Sequence, residues 1–357
     1  MNNKIELVLN SPNNFFAYKP ADASKVAMLL PCANAYTELV QRNIHFYIKK
    51  EYLNGRLNLE INFWENYTNL ESYHIPTLMI QMLNINLVDL LISLIQLEHY
   101  ITIPVDSSKI HLYPNYGTGF SEHPILISGY DKSNRTFTVS DYFNYSYGKF
   151  TTTELAFDEL EAGFESILNY IITKRRDEIG WLSMIEILYV NNNIKRTMNL
   201  ERLSISLKNY MEGKNSWGEK GNDVNVFCGF DIYDLSIEYI NDIIENELDY
   251  IDIKMIYVLE LHFRLLKMQS EYISGWLTNY STEFKQFEDD FQKCEEEAKQ
   301  IVMLSLKYNA NRKNNILSNI IERIKKLKNV ELNYTNKYIR FIDDIENNKK
   351  EGHAYDF

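Results

Sequence analysis

The feature that most constrains the fold is a change of hydrophobic period near Thr197. Before it, apolar residues recur in both two-residue and helical patterns; after it, strand signals vanish. Leu57, Leu59, Ile61 and Phe63 alternate with Asn58, Glu60 and Asn62, as in a strand with one buried face. Tyr100–Asp106 and Ile185–Val190 read as further strands, and Pro104 suggests a sheet edge. Leu87, Leu90, Leu91, Leu94 and Ile95 instead recur at helical spacing, so one face of that segment is core-facing. Thr151–Glu154 reads as a capping box for a helix bearing Phe157, Leu160, Phe164, Ile167 and Ile171. Beyond Thr197, the stretches 232–248, 255–277, 284–308 and 316–332 carry Leu, Ile, Met and Phe stripes with charged backs. Short joints between them predict an antiparallel helical bundle. The expected organisation is α+β over residues 1–195, with an antiparallel sheet, followed by an all-helical domain over 196–357.

A chain of 357 residues can bury two such cores. Its charge is uneven: residues 1–150 carry a net −2 and residues 151–357 a net −10. An acidic chain without a basic run is a poor nucleic-acid binder. The most apolar stretch, 83–97, is interrupted by Asn84, Asn86, Asp89 and Gln96 and is too short to cross a bilayer. The N-terminus has no apolar core of signal-peptide length, and three cysteines do not make a disulfide framework. A cytoplasmic protein with no nucleic-acid or membrane partner is the default expectation. Walker, dinucleotide-binding, His-Glu-x-x-His and Cys-x-x-Cys motifs are absent, so no metal or nucleotide cofactor is expected.

One hairpin carries titratable groups on both arms. His123 opens an apolar run through Ile125, Leu126 and Ile127, and turn residues occupy 129–134. Phe137 and Val139 then lead to Asp141. An antiparallel return brings His123 and Asp141 side by side, the orienting half of a nucleophilic triad. Cys32 is the candidate nucleophile. It follows Pro31 and precedes a helical pattern, where free N–H groups and the helix dipole favour a thiolate. A buried structural cysteine is the competing reading. Cys228 is a weaker rival, and Cys294 sits among too many carboxylates. The loop 113–122 could wall the site, as could the aromatic residues 142–147.

The order Cys32, His123, Asp141, with spacings of 91 and 18 residues, goes with the words His-Pro-Ile-Leu-Ile-Ser-Gly-Tyr-Asp and Phe-Thr-Val-Ser-Asp. Together they resemble the papain-like cysteine acyltransferases of the butirosin-biosynthesis type, found in natural-product gene clusters. Phe230–Asp234 and Glu260–Leu266 extend the resemblance into the helical half. The group includes an enzyme that forms the terminal amides of closthioamide, and the Asn, Ile, Lys and Tyr bias suits a bacterial source of low GC content. The resemblance implies a papain-like fold and a Cys32–His123–Asp141 triad. It implies amide formation between an acyl thioester and a small amine, through a Cys acyl-enzyme. The thioester would ride on the phosphopantetheine arm of an acyl carrier protein, which Lys174, Arg175 and Arg176 could meet. A cysteine peptidase or hydrolase of the same fold, and a non-catalytic scaffold, are the alternatives. No Gln precedes Cys32 to complete an oxyanion hole; Asn10, Asn13 and Asn14 are the available substitutes.

Overall fold

The structure is a computed structural model. It describes the chain apart from residues 1, 13–19, 43–45, 54–55, 64–66, 144–148, 174–179, 195–196, 216–225 and 351–357. In chain order the elements begin with β1 (Lys4–Glu6), α1 (Pro20–Leu29), α2 (Ala33–Arg42), β2 (Phe46–Leu53) and β3 (Arg56–Phe63). There follow β4 (Leu70–Pro76), α3 (Thr77–Met82), α4 (Leu87–Gln96), β5 (Tyr100–Asp106), β6 (Glu122–Asp131), β7 (Thr136–Asp141) and β8 (Thr151–Ala156). Next come α5 (Phe157–Thr173), β9 (Met184–Val190), α6 (Leu200–Met211), β10 (Val226–Cys228) and α7 (Ile232–Glu245). The chain closes with α8 (Lys254–Trp276), α9 (Ser281–Asn311) and α10 (Asn314–Lys350). The fold is thus α+β with an antiparallel sheet and a helical C-terminal region.

The elements divide into two compact units. Met1–Tyr36 with Asn66–Arg196 form the first, and Thr37–Glu65 with Thr197–Phe357 form the second. The second unit therefore takes a segment out of the 1–195 range expected to be a single domain. The physical reason is strand pairing: β2 pairs with β3 on one side and with β10 on the other, Ile48 opposite Phe227. The second unit is accordingly not all-helical.

In the first unit the sheet order is β4-β9-β5-β6-β7-β8, antiparallel throughout, with β1 added to β6. Successive side chains point to opposite faces, so the sheet separates two cores. On one face Ile101, Ile103, Val105, Ile125, Ile127, Phe137 and Val139 pack with Leu91 and Ile95 of α4 and Leu160 and Phe164 of α5. On the other, Tyr100, Leu126 and Leu188 pack with Ala23, Ala27 and Met28 of α1. Burying each large aliphatic side chain contributes about 1.5–3 kcal/mol, an upper range before chain entropy is counted. The amphipathic period of α4 does what its spacing predicts: Leu87, Leu91, Ile92 and Ile95 are buried, and Asn86 caps the helix by accepting from the Asp89 amide. Pro104 is tolerated inside the sheet because β9 pairs with β5 only as far as Thr102, and Pro104 faces another proline, Pro124, on the β6 side.

Thr151–Glu154 is strand, not a helix cap. Three successive threonines suit a pleated edge; they pair with Asp141, Ser140 and Val139, and the Thr152 and Ser140 hydroxyls lie 2.8 Å apart. Close approach fixes the other strand joint. A Cβ at Gly129 would come within 2.6 Å of the Ile5 carbonyl oxygen, so only glycine lets β1 sit against β6 there.

In the second unit the long helices bury Phe263, Phe284, Phe291 and Tyr338 among their faces. A buried carboxylate, Glu295, is compensated by three cations: Lys299 at 2.7 Å, Arg264 at 3.2 Å and Lys267 at 3.3 Å. A charge with so little exposure persists only when it is paired in this way.

Candidate active site

His123 and Asp141 meet at one end of the first unit's sheet. His123 stands opposite Val105 on β5, and Leu126 stands opposite Ser140 on β7. By the two-residue alternation, His123, Ile125 and Asp141 then share the face that carries Val105. Their side chains touch: His123 Nε2 lies 2.6 Å from Asp141 Oδ2. The carboxylate is 1% exposed and the imidazole 18% exposed, so the base has an open side and its partner has none. The approach is close, but the Nε2 hydrogen is not directed along it, and Nε2 makes no aligned hydrogen bond.

A third residue explains that geometry. The Tyr113 hydroxyl donates to the same oxygen, Asp141 Oδ2. Its ring meets the imidazole edge-on, with centroids 5.1 Å apart, and contacts Phe143 at 5.3 Å. One donor, the Tyr113 hydroxyl, and the imidazole Nε2 both crowd a single carboxylate oxygen, while Oδ1 has no partner among the described residues. Sequence reading named the loop 113–122 as a possible wall but did not assign Tyr113 a role. The only signal was a tyrosine ten residues before the histidine.

What places Tyr113 is Asp106 at the end of β5. Its Oδ1 accepts from the amides of Ser108 and Ser121, at 3.0 and 3.1 Å, and its Oδ2 from the Ser166 hydroxyl at 2.6 Å. The loop 107–121 is thereby closed at its base, where the Ser107 amide also donates to the Ser121 carbonyl at 2.8 Å. Two side contacts pin it to α5: His111 Nδ1 with Glu159 at 2.8 Å, and the stacked rings of Phe120 and Tyr170. Burial pushes the Asp106 carboxyl up, but the hydrogen bonds from Ser166, Ser108 and Ser121 outweigh it and hold it below the usual carboxylate range.

Cys32 is placed as expected locally and not as expected globally. It is the residue before α2, and its carbonyl accepts from the Ala35 and Tyr36 amides. Yet α1, which leads into it, packs on the sheet face opposite to the one bearing His123 and Asp141. Asn34, two residues on, bonds to the Asn192 carbonyl beyond the end of β9. That is the end where Tyr100 pairs with Leu188; His123 is at the other end, opposite Val105. Five residues of β5 separate those levels, about 17 Å at a strand's rise. The structure brings His123 and Asp141 together and packs the helix that leads to Cys32 on the opposite face of the sheet. The helix start that recommends Cys32 is a local property, and it carries no information about which face of the sheet the turn adjoins. Asn10 shares that displacement, its amide bonding to the Ala27 carbonyl of α1; Asn13 and Asn14 lie outside the described residues.

The other cysteines are poor nucleophiles. Burial, then Asp231, push the Cys228 thiol up to about 11. Burial, then Glu331 and Asp290, push Cys294 higher still. Residues 144–148 and the basic cluster Lys174–Arg176 lie outside the described residues.

A second histidine–carboxylate–tyrosine group sits in the second unit. His262 Nε2 on α8 lies 2.8 Å from Glu331 Oε1 on α10, and the Tyr233 hydroxyl on α7 donates to Oε2. Tyr210 of α6 stacks on the imidazole with centroids 4.4 Å apart. Burial, then the Glu331 carboxylate, push the phenols of Tyr210 and Tyr233 well above their usual value.

Among the described residues no group of three or more His, Cys, Asp or Glu side chains could hold a metal ion, and no helix is long and apolar enough to cross a membrane. The chain matches no family model and no curated protein.

Proposed function

We propose that the protein is an acyltransferase that forms an amide from an acyl thioester and an amine, with His123 as general base. The observation that carries this reading is the His123–Asp141 contact with Tyr113 on the same oxygen. A half-open imidazole backed by a buried carboxylate accepts a proton and stabilises the cation that results. The amine nitrogen attacks the thioester carbonyl, and His123 takes its proton. The C–N bond forms, the C–S bond breaks, and the imidazolium returns the proton to the departing thiolate. The resemblance of the two strands to the butirosin-type acyltransferases supplies the substrate class. It also supplies the papain-like fold, the phosphopantetheine arm and the acyl carrier protein as parts of the same proposal. The α+β architecture with an antiparallel sheet supports the fold assignment.

A second reading passes the acyl group through Cys32. Its position at a helix start favours it; the packing of α1 on the sheet face opposite His123 opposes it. Intact-protein mass spectrometry with a panel of acyl thioesters, combined with turnover of two variants, decides. Direct transfer predicts that Cys32→Ala still turns over and that His123→Ala loses about a hundredfold or more. An acyl adduct on Cys32, with Cys32→Ala inactive, would establish the covalent route. Thioester cleavage without an amine would mark a hydrolase. No turnover with any thioester in the panel would reduce the protein to a scaffold.

A further inference from the structure

Beside α5 lies a feature that the acyl-transfer proposal does not use. Between α3, α4 and α5 lies a cavity of about 360 Å³, within the size range of small-molecule sites. Ile80, Leu87, Phe164 and Leu168 form an apolar floor, and all four are buried. Glu161 and Glu165, one helical turn apart on α5, stand at its rim. Neither has a cation within ion-pair distance among the described residues. Arg135, whose charge reaches Glu161, is paired with Asp158 at 2.7 Å. Burial, then Asp158 and Glu165, raise the Glu161 carboxyl, and Arg135 offsets them only in part. The chain beside the cavity is unusually apolar for a surface: Met82 is 80% exposed and Leu83 60%.

We propose that this cavity binds an organic ammonium ion, its hydrocarbon body on the Phe164–Leu168 floor and its charged head between Glu161 and Glu165. An apolar ligand would leave the carboxylates uncompensated, and an anion would be repelled by them. A cation with a hydrocarbon tail satisfies both halves of the lining. Gln81, Asn84 and Asn169 supply side-chain amides around it.

Octylamine, octanol and octanoate are the probes, added to the full chain at neutral pH. Binding is read by calorimetry and by the side-chain amide resonances of Gln81, Asn84 and Asn169. Octylamine should bind and shift those resonances, with octanol weaker and octanoate weakest. The double variant Glu161→Gln, Glu165→Gln should weaken octylamine about fivefold, the scale of one partly exposed ion pair, and narrow its advantage over octanol. Gln81→Trp, which obstructs the mouth from an exposed position, should abolish the shifts with the thermal unfolding curve unchanged. Octanoate binding as tightly as octylamine, an unchanged double variant, or amide resonances that do not move would each overturn the proposal. The readout is binding alone, so it stands or falls independently of acyl transfer.

Discussion

The two histidine–carboxylate–tyrosine groups are built alike and differ most in access. In the first unit the carboxylate is buried and the imidazole is 18% exposed; in the second, His262 is 1% and Glu331 0% exposed. A buried pair with no open side has nothing to exchange a proton with, so its interaction energy goes into holding α6, α7, α8 and α10 together. An open imidazole over a buried carboxylate can spend the same interaction on a substrate's proton. The comparison teaches that side-chain chemistry alone does not tell a packing device from a reactive group; the sealing of the histidine does.

The largest expected effect breaks the sealed group. His262→Ala removes the partner of a fully buried carboxylate and should cost about 3–5 kcal/mol of stability in denaturant unfolding. Replacing His262 and Glu331 together by leucine should restore much of that. A loss below about 1 kcal/mol would mean that the two groups are alike after all. His123→Ala is the counterpart: it should leave the unfolding midpoint nearly unchanged and lower turnover by about a hundredfold or more. A matched pair then separates the tyrosines. Tyr233→Phe deletes a hydroxyl from a sealed carboxylate and should cost about 1.5–3 kcal/mol in stability, the scale of a hydrogen bond to a charged group. Tyr113→Phe keeps the ring against His123 and should cost about 1 kcal/mol, seen in kcat rather than in unfolding. Equal stability losses from the two variants would collapse the distinction.

The smallest effect concerns the loop that delivers Tyr113. Asp106 has its carboxyl held below the usual value, so its contribution is present above the unfolded carboxylate range, near pH 4, and is lost as pH falls through the lower folded value. Protection of the Ser108 and Ser121 amides against hydrogen exchange should decline over that acid window. Asp106→Asn should show weak protection at every pH. Protection that stays constant into strong acid would exclude Asp106 as the clasp.

The His123–Asp141 contact was legible in part: a hairpin brings its two ends together, but the register shift between Ile127 and Gly129 is what turns Asp141 to the face of His123, and that shift leaves no mark in the apolar pattern. The helix at Leu87 and the long C-terminal helices were legible because their signals are local and periodic. Tyr113 was not, because its place depends on a loop closed by Asp106, and a carboxylate accepting two distant amides leaves no periodic trace. The helix start after Cys32 was legible within ten residues, whereas the face on which α1 packs is decided by Leu126 and Leu188, some hundred and more residues away, and was not. Thr151–Glu154 fits a cap and an edge strand equally well by composition; pairing with β7 decides between them.

The division of the chain has a consequence for its synthesis. The first unit is complete when residue 196 has been made, but the segment 37–65 within that length belongs to the other unit. Its two strands, β2 and β3, can pair with each other early, while the far side of β2 waits for β10 at 226–228. An unfilled strand edge is a template for wrong pairing, and here it stays open while the whole sheet-bearing unit is being translated. Ending the chain at residue 196 would make that state permanent. An excised N-terminal half should therefore aggregate through β2, and a workable excision must remove 37–65 and bridge residues 36 and 66 with a short linker.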